Sequence, residues 1–510
     1  MRTALTLILL AAAMLVPAKH ALHIYQQNSY INSRYLEWIR ENAVLRLKAG
    51  VIPIAIALAA AVTGLGMPGL AVLAVYAFVQ ERKASYRKPL VYTARVKRQI
   101  AAECILAALL CPVLLRMQRF LPLMSLFVPW ALIVPMGWVT SPVEHAVQQG
   151  FLNEAKDILN DRKDLIRIGI TGSYGKTSTK NVIQAVLSQK YNSLMTPASY
   201  NTPMGITRTI REQMKPIHKV FVCEMGADKP GDISELMEFV HPTIGVVTSI
   251  GPQHLATFGS QEKITYEKMR MVEELPPDGT AVLNYDNEII RNCTVENPVK
   301  IISYGIHCDG ADYTAQEIRY SAEGTDFTIV HGEERIPVHT PLLGELNILN
   351  ILCGAAVGRL LDVDWNAIQR GIRSMKQVEH RLERKTIGRL RFIDDAFNAN
   401  PSGAEMALEV LSLMPGRRWI VTPGMIELGE RQKEINRTFG TQMKDRCDDV
   451  ILVGRIQTEP VMQGLQDSGF DPAHIRTVDG IEEAFSILFR EAVPEDTILL
   501  ENDLPDAFNH

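Results

Sequence analysis

Four stretches within the first 150 residues, 5–18, 51–79, 100–115 and 121–139, are almost without charge, and this asymmetry constrains the fold more than any other property of the chain. A helix needs about 20 apolar residues to cross a bilayer, and in lipid every backbone polar group must be satisfied internally. Residues 121–139 and the extended run at 100 meet that length, and the first run meets it with its flanks. The 51–79 run is longer than one crossing needs and is interrupted by Gly64-Leu-Gly-Met-Pro-Gly69, which predicts one tilted helix or a tight pair of short ones. The loops between the runs are basic, with Arg34, Arg40, Arg46 and Lys48 in one and Arg82, Lys83, Arg87, Lys88, Arg95, Lys97 and Arg98 in the next. The positive-inside rule puts both on the cytoplasmic face, which favours the short hairpin between them. A second hairpin over 100–139 then returns the rest of the chain to the cytoplasm, with the N-terminus outside. Lys19 stands where a cleavage site would want a small residue, so the first run reads as an anchor.

Beyond residue 150 the pattern changes to alternating strands and helices. Residues 167–171, 220–223, 244–249 and 280–284 are strand-like, and 181–189 and 232–240 are helix-like, the signature of a parallel sheet wrapped by helices. Residues 313–338 read as a small antiparallel excursion. After residue 381 a new α/β pattern begins at 419–421, 449–453 and 497–500, consistent with a Rossmann-like domain.

The first of these strands runs into Ile168-Gly-Ile-Thr-Gly-Ser-Tyr-Gly-Lys-Thr-Ser178. Gly172 and Gly175 let the backbone turn its N–H groups inward, the next helix adds its positive end, Lys176 reaches for β/γ-phosphates and Thr177 can hold Mg²⁺. The full phosphate-loop pattern wants glycine where Ile170 stands, so further support is needed. It comes from Glu224, at the start of Glu224-Met-Gly-Ala227, and His254, in Gly251-Pro-Gln-His-Leu-Ala-Thr-Phe-Gly259, each just past a strand's carboxyl end. Open parallel sheets place ligands there, and both residues suit a hard or borderline cation.

These motifs, with Asn201-Thr-Pro-Met-Gly-Ile206, Glu224-Met-Gly-Ala-Asp-Lys-Pro-Gly-Asp232 and Asp394-Asp-Ala-Phe-Asn-Ala-Asn-Pro401, resemble those of the Mur ligases. Within that family they are nearest to the ligases that add D-alanyl-D-alanine to a muramoyl tripeptide. The resemblance covers about residues 160–500. It implies ATP and Mg²⁺ as cofactors, an acyl phosphate on the way to an amide bond, a peptidoglycan-precursor carboxylate as donor and an amino acid or dipeptide as acceptor. It assigns catalysis to Lys176, His254, Lys268 and Arg381, and metal binding to Thr177, Glu224, His254 and Lys268. Nucleotide contacts fall to Gly172, Gly175, Lys176, Thr177, Ser178, Asn347, Asn350, Arg381 and Asp395, and substrate contacts to Asn201, Thr202, Asn398 and Asn400. Lys268, in Thr265-Tyr-Glu-Lys-Met-Arg270, aligns with a lysine commonly carbamylated in the family, with Lys263 as rival and a solvated helix lysine as the plain alternative. Asn347 and Asn350 lie in Gly344-Glu-Leu-Asn-Ile-Leu-Asn350, where Leu346 replaces the usual histidine; the plain alternative for Asn347 is a helix N-cap, which does not exclude base contact. Arg381, in His380-Arg-Leu-Glu383, brings a cation to the phosphates on domain closure. Phe397 replaces the family's tyrosine.

The departures concentrate on substrate recognition. Residues 1–150 stand in place of the usual UDP-binding domain, Pro423-Gly424-Met425 replaces Gly-Asp-Met, and Glu501-Asn-Asp-Leu-Pro-Asp506 replaces a Lys-Gly-Ser-Arg segment. That charge inversion predicts either an acceptor pocket favouring an extra amine or an acidic solvated tail.

The expected fold class is therefore α/β: a multi-pass membrane region over 1–145 touching lipid, a P-loop central domain over 160–376 and a Rossmann-like domain over 377–510. The expected location is a bacterial inner membrane with the ligase domains cytoplasmic. A net charge of −4 and pI near 6.3 give no reason to invoke nucleic acid. Seven cysteines without a Cys-x-x-Cys pair argue against a structural zinc site, unlike the relatives that amidate lipid II. Two other readings compete: a ligase acting on a polyglutamate or lipid-linked carboxylate, and a membrane scaffold whose ATP site only switches conformation.

Overall fold

The computed structural model describes residues 2–83, 89–253, 255–321, 324–376, 382–396, 401–426, 428 and 431–502. Two compact units divide the chain, Met1–Phe151 and Leu152–His510.

The first unit is helical. Among the described residues, three helices, Thr3–Gln27, Ala94–Arg116 and Gln118–Asn160, are long and apolar enough to cross a membrane. The 51–79 run forms the short pair: Val51–Thr63 ends at Gly64, which takes φ 74° and returns its N–H to the Ala60 carbonyl, and Gly66–Lys83 follows. Gly69 is required where the pair meets, because a Cβ there would lie 2.4 Å from that of Ala60. Thirteen residues span only about 20 Å, short of the hydrocarbon thickness. One expectation is corrected. The basic segment after the first run is a helix, Asn32–Ala49, because Tyr35 and Ile39, four residues apart, pack on the cluster of Ala21, Leu22 and Tyr25.

The second unit holds two sheets. Nine described strands form the first: β1 (Ile166–Thr171), β2 (Ser193–Met195), β3 (Val220–Glu224), β4 (Ile244–Val247), β5 (Thr280–Asn284), β6 (Lys300–Gly305), β7 (Tyr313–Ser321), β8 (Gly324–His331) and β9 (Glu334–Thr340). Their order is β2-β3-β1-β4-β5-β6-β7-β8-β9. Strands β1 to β6 are parallel and apolar on both faces, as burial beneath helices on each side demands. Ile168, Ile170, Val222 and Val246 pack towards the helices Lys176–Leu187 and Glu345–Leu360. Phe221, Cys223, Val247 and Leu283 pack with the helices Asp232–Val240 and Gln261–Glu273. The antiparallel excursion continues this sheet, since β7 joins β6 in parallel through Tyr304↔Tyr313 and Gly305↔Thr314.

Six described strands form the second sheet: β10 (Glu383–Ile387), β11 (Leu390–Asp395), β12 (Arg418–Thr422), β13 (Asp449–Val453), β14 (Ile475–Val478) and β15 (Thr497–Glu501). Their order is β10-β11-β15-β12-β13-β14, with β10 antiparallel and the others parallel.

Candidate functional site

Because β1 lies between β3 and β4, with Ile170 level with Glu224 and Thr171 level with Val247, the carboxyl ends of three strands open at one place. The connection after β1 runs to one side, towards β2, and that after β4 to the other, towards β5, and doubly wound sheets bind ligands at such a switch. The loop after β1 is fixed by Ser173, whose hydroxyl donates to the Gly251 carbonyl at 3.1 Å and accepts from the Gly251 N–H at 3.0 Å. Gly172 takes φ 148°, and a Cβ there would meet Thr248 Oγ1 at 2.1 Å; Gly175 takes φ 82° as the residue before the helix Lys176–Leu187. Lys176, Thr177 and Ser178 therefore occupy the first turn, their backbone N–H groups lacking intrahelical partners and the helix dipole favouring an anion.

Lys176 Nζ donates to the carbonyls of Gly172 at 2.5 Å and Ser173 at 3.2 Å. Thr177 Oγ1 donates to Glu224 Oε2 at 3.0 Å, and Asn201 Nδ2 to Glu224 Oε1 at 3.2 Å. Thr202 caps the helix Pro203–Gln213, accepting from the Gly205 N–H. A cavity of about 580 Å³ is lined by Gly175, Lys176, Thr177, Ser178, Asn201, Thr202, Glu224, Asn347, Asn350 and Asp395. A second, of about 480 Å³, shares Tyr174, Gly175, Leu346 and Asn350 with the first and adds Asn284, Asp286 and Asn287. Leu346 lines both.

Asn347 is not the N-cap of its helix. Gly344 holds that position with φ 87°, and the Asn347 amide donates to the Leu343 carbonyl at 2.7 Å. Asn350, nearly buried, accepts from Thr179 Oγ1 at 2.7 Å and thereby ties its helix to the phosphate-loop helix. Asp395 receives the Leu382 N–H at 3.0 Å.

Lys268 lies in the helix Gln261–Glu273 at 2% exposure, which excludes the solvated reading, whereas Lys263 is exposed. Burial, then the nearby Lys176, pushes the Lys268 ammonium down to about 7, against the pull of Glu267, Asp228 and Asp232. His254, Arg381, Phe397, Asn398 and Asn400, with Asp503 and Asp506, lie outside the described residues. Gln253, beside His254, lines the larger cavity. Glu501 is not on a solvated tail; it is fully buried at the end of β15, level with Asp395.

The donor set fits Mg²⁺. Thr177 and Glu224 supply hard oxygens beside a phosphate loop, and this ion is commonly held by one or two carboxylates together with substrate phosphates.

Two family models match the chain over these elements: "Mur ligase middle domain" over residues 170–358 and "Mur ligase, glutamate ligase domain" over 380–501. The chain belongs to the Mur ligase family. The UDP-N-acetylmuramoyl-tripeptide--D-alanyl-D-alanine ligase of Bacillus subtilis is 31% identical over 293 residues, 57% of this chain and 63% of that relative. The ligase of the same name from Escherichia coli is 31% identical over 291 residues, 56% of this chain and 64% of the relative. The chain thus spans just under two thirds of the length of these relatives. Among solved structures, the MurF ligase of Thermotoga maritima in complex with ADP aligns with a TM-score of 0.62 at 25% identity, covering 70% of this Mur ligase and 80% of that chain. A MurF from Acinetobacter baumannii aligns with the same TM-score at 23% identity, covering 70% and 77%, a likeness of fold. Residues 1–151, the helical unit, lie outside both family matches.

Sequence reasoning passed over Lys180, Thr179 and Glu267, all buried around the site. Lys180 carried a signal: with Ile183 and Leu187 it falls at i, i+3, i+7, on the stripe that the helix buries. Glu267 carried none, since its partners are backbone N–H groups 34 and 36 residues away.

Proposed function

We propose that this chain is a membrane-anchored, ATP-dependent amide ligase of the D-alanyl-D-alanine-adding type. The observation that carries the reading is the convergence of Lys176, Thr177, Glu224 and Asn201 on one cavity at the switch point of the sheet. The names of the 31%-identical relatives and the ADP in the Thermotoga structure support it. A donor carboxylate attacks the γ-phosphorus of ATP, ADP departs, and the acceptor amine then displaces phosphate from the acyl phosphate to form the amide. Lys176 stabilises charge on the transferring group, and the N–H groups of the first helical turn orient the phosphates. Mg²⁺, when bound through Thr177, Glu224 and His254, neutralises phosphate charge. Arg381 and Asp395 complete the nucleotide site from the C-terminal domain, Asn347 and Asn350 face the base, and Asn201, Thr202, Asn398 and Asn400 face substrate.

The division on this reading is a membrane region over 1–145, the ATP-binding domain over 160–376 and the C-terminal domain over 377–510. The three long apolar helices support reading it as a multi-pass protein of a bacterial inner membrane, with lipid as a partner and the ligase domains in the cytoplasm. Those helices also favour a second reading, in which the donor carboxylate is lipid-linked. Phosphate release by the detergent-solubilised protein decides: UDP-muramoyl tripeptide with D-alanyl-D-alanine is the expected pair. Release only with a lipid-linked donor selects the second reading, and no release with either overturns both.

A further inference from the structure

Lys180 lies one turn beyond Lys176 and is only 1% exposed. Its Nζ donates to Glu224 Oε2 at 2.8 Å and to the Ala198 carbonyl. Glu224, equally buried, places two donors on that same oxygen, Lys180 and Thr177, and has Asn201 Nδ2 at 3.2 Å from the other. The ammonium thus fixes two things at once: the carboxylate, and the turn at Ala198 (φ 43°) that leads to Asn201. Glu224 lines the larger cavity and Lys180 is not among its lining residues, so the lysine supports the carboxylate from behind.

We propose that Lys180 is the built-in counter-ion of Glu224. It occupies Oε2, leaves Oε1, where the neutral Asn201 amide donates at 3.2 Å, as the oxygen that a divalent cation takes, and cancels enough charge that the cation is taken up only together with nucleotide phosphate. The proposal rests on Glu224 being a metal ligand, as read above. A carboxylate buried alone at a phosphate site would attract cations from solution and repel the arriving nucleotide. A fixed positive charge 2.8 Å away opposes both effects. Lys180 is therefore a positioning residue: it acts through Glu224 and touches no substrate.

Binding of Mn²⁺ to the whole detergent-solubilised protein, read by electron paramagnetic resonance with and without ADP, separates this role from a merely structural one. Wild type is expected to bind Mn²⁺ weakly alone and far more tightly with ADP. Lys180→Met and Lys180→Gln should bind nucleotide-free Mn²⁺ roughly tenfold or more tightly than wild type, the scale of one unit charge at this range. Lys180→Arg should match wild type, and adding Glu224→Gln to Lys180→Met should erase the gain. A structural lysine predicts the reverse, weaker binding in the neutral variants. Folded neutral variants that bind no more tightly than wild type overturn the proposal. So does wild-type protein that binds Mn²⁺ as tightly without ADP as with it, a measurement that needs no variant. Failure of the underlying site reading looks different: Mn²⁺–ADP binding would then be indifferent to Glu224→Gln alone.

Discussion

Lys176 bends back onto two carbonyls of its own loop, Gly172 and Ser173, a posture that an arriving phosphate would relieve by offering the ammonium stronger acceptors. Lys176→Ala removes a cation aimed at the transferring group and no core packing, so turnover should fall ~10²-fold or more with an unchanged melting curve. Near-normal turnover in the purified variant would take this loop out of the mechanism. Lys268 offers a sharper contrast, because burial has moved its amine to about 7 while Lys263 on the same helix stays in solvent. Carbamylation needs the neutral amine, so dependence of activity on bicarbonate should steepen as pH falls below about 7. Since the folded pKa is depressed, the unfolded chain binds the extra proton between about 7 and the ordinary lysine value, and this group's contribution to stability rises with pH across that window. Lys268→Ala should lose most activity and recover part of it with added short carboxylates, whereas Lys263→Ala should be nearly silent. Equal, small losses in both would leave the helix without a metal-binding lysine. At this scale the sequence showed the polar residues at strand ends, because motif spacing encodes them. It did not show that Asn350 spends an amide oxygen on Thr179, since that contact joins helices 171 residues apart in sequence.

Among the elements, the helix Asp232–Val240 depends on a neighbour for its start. Gly231 precedes it with φ 93° and offers no side chain, so the buried carboxylate of Glu267 accepts the N–H groups of Gly231 at 2.8 Å and Ile233 at 2.7 Å. That carboxylate does for this helix what an N-cap side chain does elsewhere, and it meets the positive end of the dipole. Glu267→Ala leaves both donors buried without it, and denaturant unfolding should register a loss of about 2–3 kcal/mol. Glu267→Gln, which keeps an acceptor, should lose less, and a neutral result for the alanine variant would mean that water satisfies these donors. The helix itself was legible to the residue from its apolar period. Its cap was not, because nothing local marks it. The same reasoning explains the Asn32–Ala49 helix: arginines at 34, 40 and 46 drew attention as a basic loop, while the two aromatic and aliphatic residues that seat the helix, Tyr35 and Ile39, are too few to dominate the pattern.

For the whole molecule, the question is whether the first unit crosses a bilayer or lies upon one. Its helices Thr3–Gln27, Ala94–Arg116 and Gln118–Asn160 have the length, and many of their large apolar residues, Ile8, Leu15, Ile105, Leu109 and Trp138 among them, are exposed on the protein's own surface. A soluble unit would bury such residues against its own core, whereas lipid covers them at no cost. Within the unit, polar side chains pair with one another or with backbone, as spanning helices favour: Arg98 forks onto Glu144 at 2.6 and 2.7 Å, and Tyr35 donates to the Trp130 carbonyl. An interfacial anchor would instead show one apolar and one charged face along each helix, and these runs are apolar around most of their circumference. Alkaline carbonate should therefore leave the protein in the membrane pellet while detergent releases it. On the proposed topology, with both basic segments cytoplasmic, a protease added to intact cells should spare residues 160–510. Release by carbonate would reduce the unit to an interfacial anchor, and loss of the ligase domains to external protease would invert the topology and remove them from their ATP.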